Sequence, residues 1–232
     1  MQRELTARQI TKILKHIKES VPSPPTVSDT IYKKPEHIFD IKQIQEVSNH
    51  MGFFLGLLQS VTVITRPKER DQFVVAANGS TKKEKEVVDY SGLYKVCRTG
   101  QKNIEIVGNS GFYFRHYLAV IAHETTHNYL FHHSIKPNGF DEEIYTDLAA
   151  IYLGFGPLLI DGYEPCEWTD HYKPDKQTHT FQLGYIDVAT AKKALIISAK
   201  FRGWKTSEVV SQLKGFDKLI FRLGKVTYCF IK

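Results

Sequence analysis

Residues 112–132 read FYFRHYLAVIAHETTHNYLFH, and residues 140–153, reached after a short turn, read FDEEIYTDLAAIYL. In the first segment an apolar run, Leu118–Ala122, precedes His123-Glu124-Thr125-Thr126-His127, and Tyr129, Leu130 and Phe131 follow it. This predicts a mostly buried helix from about Phe112 to His132. Residues at i and i+4 share a helix face, so His123 and His127 direct two imidazoles at one ion. Glu124 faces the adjacent edge of the same groove, where a carboxylate can hold a water on that ion and take its proton. Polar groups in so apolar a helix are costly without partners, and a bound metal gives the histidines one.

The second segment is expected to be a helix from about Phe140 to Leu153, stopped by Gly154-Phe155-Gly156. Glu143 and Asp147 again share a face, while Ile144, Leu148 and Ile151 form the stripe that seats the helix. The turn Lys136-Pro137-Asn138-Gly139 lets the two helices come together. Two histidines and a glutamate make a catalytic zinc set with one open position. Asp147 is then placed to accept the second ring N–H of a ligand histidine. Glu143 is preferred to Glu142 as third ligand because it shares a face with Asp147; Asp147 itself as third ligand is the other reading.

HETTH followed by a helix with E-x-x-x-D resembles the gluzincins, the thermolysin-like zinc peptidases. The resemblance covers residues 112–156. It implies a zincin-like fold, with Zn2+ held by His123, His127 and Glu143, Glu124 as catalytic general base, and Asp147 behind a ligand histidine. Fifteen residues separate His127 from Glu143, fewer than in thermolysin. A metzincin pattern fails: His133 stands where its third histidine belongs, but Leu130 occupies the glycine position. The resemblance also implies an edge strand that holds the substrate main chain, for which Asn103–Val107 is the candidate. It implies too a donor for the oxyanion of the tetrahedral intermediate. Among Tyr163, His171, Tyr172, His179 and Tyr185, the chemistry favours His171 and His179. His132 and His133, near the helix C-terminus, read as structural.

Around these two helices an α+β order is expected in one domain. Residues 4–19 form an amphipathic helix with Leu5, Ile10, Ile13, Leu14 and Ile17 on one face, ended by Val21-Pro22-Ser23-Pro24-Pro25. Residues 1–25 are thus an N-terminal helix and Pro-rich linker, either a detachable prosegment or a packing helix, ahead of the zincin-like domain 26–232. A helix is expected over Glu36–Gln59. Strands follow at Val61–Thr65 and Gln72–Ala77, separated by a Pro67–Asp71 turn. Asn78-Gly79-Ser80 is another turn, Lys82–Glu86 an exposed charged loop, Val87–Cys97 mixed strand and turn, and Asn103–Val107 a strand. Residues 161–184 read as irregular. Asp187 caps a helix through Phe201, and Ser207–Leu223 is the last.

With 232 residues, 42% hydrophobic and 24% charged, the composition is that of a globular protein. The apolar runs read from the sequence fall short of the roughly 20 residues a membrane helix needs, and the N-terminus lacks the pattern of a secretory signal. Cys97, Cys166 and Cys229 are odd in number with no C-x-x-C pair, so a reducing, cytoplasmic setting without a Cys-based zinc site is expected. A net charge of +6 is spread along the chain without an aromatic-plus-basic motif. The expected function is therefore a zinc metallopeptidase acting on a protein or peptide substrate. The alternatives are a catalytically silent zinc-binding regulatory module and, last, a nucleic-acid-associated protease.

Overall fold

The computed structural model describes residues 2–22, 31–57, 61–67, 69–75, 81–87, 91–97, 100–108, 112–169 and 178–213. The architecture is α+β: a small mixed sheet set against a group of helices. Strands β1 (Thr62–Pro67), β4 (Gly92–Val96) and β5 (Lys102–Gly108) form the sheet in the order β1-β5-β4. β5 runs parallel to β1 and antiparallel to β4. Ile104 and Ile106 alternate into the core. Between them Glu105, also buried, is held by Lys95 at 3.0 Å and Arg66 at 3.4 Å from the flanking strands. β5 is thus the central strand, and its expected role as a substrate-holding edge is corrected: β4 lies on the outside. Adjacency to the motif helix in sequence does not fix the order in which strands pair.

Between β1 and β4 in sequence, β2 (Glu69–Val75) and β3 (Thr81–Val87) make a separate antiparallel hairpin. The expected Pro67–Asp71 turn is therefore shorter, and the expected charged loop Lys82–Glu86 is strand. The backbone register sets residues 69–75 against 81–87, Glu69 opposite Val87 and Val75 opposite Thr81. The turn at Asn78–Ser80 lies outside the described residues.

Helix α3 (Phe114–His132) is buried on nearly every side because α2 (Ile44–Phe54), α4 (Glu142–Ala150), α5 (Gly156–Tyr163), β4 and β5 all pack on it. Helix α2 starts later than expected. Asp40 caps a single 3-10 turn at Ile41–Gln43, and the Gln43 side chain accepts from the Phe39 and Asp40 amides, so residues 36–40 stay outside the helix. After α3 the chain reverses through Ser134, Asn138 and Gly139, all at positive φ.

Gly154-Phe155-Gly156 interrupts the next helix as expected: helix α4 and the π-type turn after it, Ile151–Phe155, kink at Gly154, whose backbone is non-helical, and α5 starts anew at Gly156 with Pro157 in its first turn. Gly154 absorbs the irregularity at φ 111°, and its carbonyl accepts from the Tyr32 amide at 3.1 Å. Taken together across that kink, Glu142–Tyr163 is, among the described residues, the one helical stretch long and apolar enough to cross a membrane, and 89% of its most apolar window is buried inside the fold.

Helix α1 (Ala7–Ser20) opens with a Thr6–Gln9 capping box and buries Ile10, Ile13, Leu14 and Ile17 against α6 (Val188–Arg202) and α4. Its apolar face belongs to the same core as α3 and α4. The segment expected to be irregular contains a hairpin, β6 (Cys166–Thr169) with β7 (Thr178–Phe181). Asp187 caps α6 as expected, accepting from the Thr190 amide at 2.6 Å, and Gly203 ends it at φ 68°. Helix α7 spans Thr206–Gln212 and ends at an extended Leu213 (φ −91°, ψ 154°), which breaks the expected final helix Ser207–Leu223 at that point; residues from 214 lie outside the described residues.

Candidate metal centre

The centre is built where α3 and α4 cross. His123 and His127 lie one turn apart on α3. Glu143 stands in the first turn of α4, whose start is fixed by Asp141 accepting from the Ile144 amide at 3.2 Å. Three atoms converge there. His123 Nε2 and His127 Nε2 are 3.1 Å apart, and Glu143 Oε2 is 3.0 Å from the first and 3.2 Å from the second. A tetrahedral ion with bonds of about 2.0 Å holds its ligand atoms about 3.3 Å apart. The observed triangle therefore fits the edge of such a coordination sphere. Two imidazole nitrogens and a carboxylate oxygen are also a donor set that suits zinc. Glu142 lines the neighbouring cavity but is not in the triangle.

Both imidazoles are held from behind. His123 Nδ1 lies 2.8 Å from Asp147 Oδ1, and His127 Nδ1 lies 3.4 Å from the Thr146 hydroxyl, which itself donates to the Glu142 carbonyl. With the ring protons on Nδ1, each Nε2 lone pair is left facing the centre. Asp147 is fully buried and is not part of the triangle. It accepts from Tyr163 Oη at 2.5 Å and, on its other oxygen, from the Tyr185 and Ile186 amides at 2.9 and 3.2 Å. Four donors thus satisfy one buried carboxylate. The sequence singles out Asp147 but gives no sign of the amides that hold it.

Burial alone would lower the His123 pKa, yet its hydrogen bonds to Asp147 and Glu143 and the neighbouring carboxylates outweigh that and raise it to about 10. Burial likewise pushes Glu143 upward, and the hydrogen bonds from both histidines overcome it, holding its carboxyl well below the usual range.

Glu124 stands beside the triangle and is buried. Burial raises its pKa, partly opposed by His123 and His127. It accepts from the Tyr94 amide of β4. At Gly92, a Cβ would stand 2.5 Å from Glu124 Oε1 and from Val120 Cγ1, so only glycine lets β4 approach this closely. Tyr94 turns its hydroxyl to Asn128 Oδ1 at 2.9 Å, tying the strand to α3. A cavity of about 500 Å³ opens here, walled by Leu93, Leu130, Ile135 and Tyr145, with Glu124, His127 and Glu143 along it.

Of the expected oxyanion donors, His171 lies outside the described residues. His179 sits in β7 opposite Trp168 and is described at its backbone only. Tyr185, less favoured by the sequence, is at the site: its ring stacks on His123 with centroids 5.6 Å apart. Burial pushes its phenol up to about 12, and Glu143, Glu124, Asp147 and Asp141 add to the shift. No sequence periodicity marks it, because it is delivered by an irregular turn. His132 and His133 are exposed at the end of α3, away from the triangle.

No family model, curated protein or solved structure matches the chain.

Proposed function

We propose that the chain is a zinc-dependent metallopeptidase of the gluzincin type on a zincin-like fold, hydrolysing peptide bonds in a protein or peptide substrate. The observation that carries this is the His123–His127–Glu143 triangle, with edges of 3.0–3.2 Å, beside a buried Glu124. When bound there, zinc supplies Lewis acidity toward a carbonyl and brings the pKa of water toward neutrality. Glu124 takes the proton from that water and passes it to the leaving amine. Its raised pKa suits a group that must hold a proton between the two steps. Among the described residues β4 has no strand on its outer side, so its backbone can take an extended peptide as an added strand beside Glu124. Tyr185, whose raised pKa keeps it protonated, supplies a donor for negative charge developing on the carbonyl oxygen.

The test is Glu124→Gln. The variant is expected to bind zinc as tightly as the parent and to lose roughly 10²–10⁴-fold in hydrolysis of a broad peptide library. Hydrolysis at the parent rate refutes the role of Glu124, and a parent protein that takes up no zinc refutes the centre itself.

A further inference from the structure

The N-terminal residues touch the metal centre through one intermediary. Tyr185 and Ile186 hold Asp147 with their amides, and the stretch that carries them is itself held by residues 2–5. The Arg3 amide donates to the Tyr185 carbonyl at 2.9 Å, and the Asp187 amide donates to the Arg3 carbonyl at 3.3 Å, a parallel bridge with Ile186 between them. The Gln2 side-chain amide donates to the Leu183 carbonyl. The Leu5 amide donates to the hydroxyl of fully buried Thr190 at 3.0 Å. The Arg3 guanidinium also reaches Asp141, the cap of α4, at 3.6 Å. Residues 2–5 therefore brace the turn behind Asp147 through backbone hydrogen bonds, while the exposed Arg3–Asp141 pair adds little. None of residues 2–22 lines the cavity beside Glu124.

Resting on the metal-centre reading above, we infer that residues 2–5 are a positioning element for that centre, so that the chain's N-terminus sets its metal affinity. This is the opposite of a prosegment, which covers a finished site and whose removal frees it. Here removal loosens the Tyr185 and Ile186 amides, lets Asp147 shift, and frees the imidazole of His123 to rotate. Loss of support behind a ligand histidine weakens metal binding by about 10–100-fold. Coupling is reciprocal, so metal must in turn steady the N-terminal strand.

The test uses Co2+ as the probe, its visible absorption reporting coordination at the histidines. Arg3→Pro removes the amide that donates to Tyr185, whereas Arg3→Ala keeps it and removes only the contact to Asp141. Arg3→Pro is expected to bind Co2+ at least tenfold more weakly than the parent, with an altered visible band. Arg3→Ala is expected to stay within about threefold. Equal Co2+ affinity in folded Arg3→Pro overturns the inference, as does a variant that cleaves peptides faster at unchanged affinity. Hydrogen exchange on the parent chain gives a second readout that needs no variant. Zn2+ should slow exchange at the Arg3 amide about as much as at Tyr185 and Ile186. Slowing at Tyr185 and Ile186 with none at Arg3 overturns it too. A parent chain that takes up no Co2+ instead removes the reading on which the inference rests.

Discussion

Two single atoms decide how the centre is built at the residue scale. One is the missing Cβ of Gly92. Its space is taken by the Glu124 carboxylate and Val120, each 2.5 Å from where the Cβ would be. Gly92→Ala must push either β4 or Glu124 away, while leaving the triangle of His123, His127 and Glu143 untouched. We expect Gly92→Ala to keep metal affinity within about twofold and to lower peptide turnover by about 100-fold, since an error of about 1 Å in a reacting group costs that much. Metal titration and cleavage kinetics on the same preparation check it, and loss of metal binding would place Gly92 in the wrong role. The other is the Nδ1 proton of His123, given to a carboxylate that three further donors already hold. The i, i+4 spacing of Glu143 and Asp147 is enough to separate their roles: one turn apart on one face, only the first reaches both histidines.

Among the elements, the helices on either side of Gly154 meet at a kink where the sequence places the stop. Gly154 sits at φ 111° and ψ 0° in a π-type segment, with Tyr32 N 3.2 Å from where a Cβ would stand. An L side chain there is strained by about 2 kcal/mol. Gly154→Ala is therefore expected to lower the thermal midpoint by about 4–8 °C, measured on the metal-free protein. An unchanged midpoint would mean that the backbone at 154 relaxes freely. This boundary was legible because a glycine at positive φ ends a helix by local backbone geometry. The strands were less legible: β5 has the cleaner alternation, but hydrogen bonding put it in the middle and left β4 at the edge.

At the scale of the whole molecule, the proposed metal centre is expected to link metal uptake to protons and stability. The metal-free His123 has its pKa raised from 6.5 to about 10. Its contribution to stability is therefore fully present below 6.5 and is lost as pH rises through 10. Glu143 runs the other way, its depressed pKa giving stability present above 4.5 and lost as pH falls through its folded value. A metal must displace the His123 proton. Its affinity should rise about tenfold per pH unit between 7 and 10 and level off above, with about one proton released per ion. Metal titrations across that range, with proton release followed in a weakly buffered solution, check both parts. An affinity flat across the range would mean that His123 is already neutral. Metal at about 100 times its dissociation constant should add about 2.7 kcal/mol to stability, seen as a rise in thermal midpoint that a chelator reverses.

Local spacing by itself determined the helix that carries His123, Glu124 and His127, the face shared by Glu143 and Asp147, the stop at Gly154, the cap at Asp187, and the buried stripe of α1. These depend on period and on side-chain chemistry within a few residues, which the chain states directly. Only the tertiary structure decided that Glu143, and not Glu142, meets both histidines, and that Tyr185 stacks on His123. It alone brought β4 and Gly92 against Glu124, and Arg3 behind the amides that hold Asp147. Those pairings join residues up to 182 positions apart, and they are settled by how the elements pack, not by any pattern within one of them.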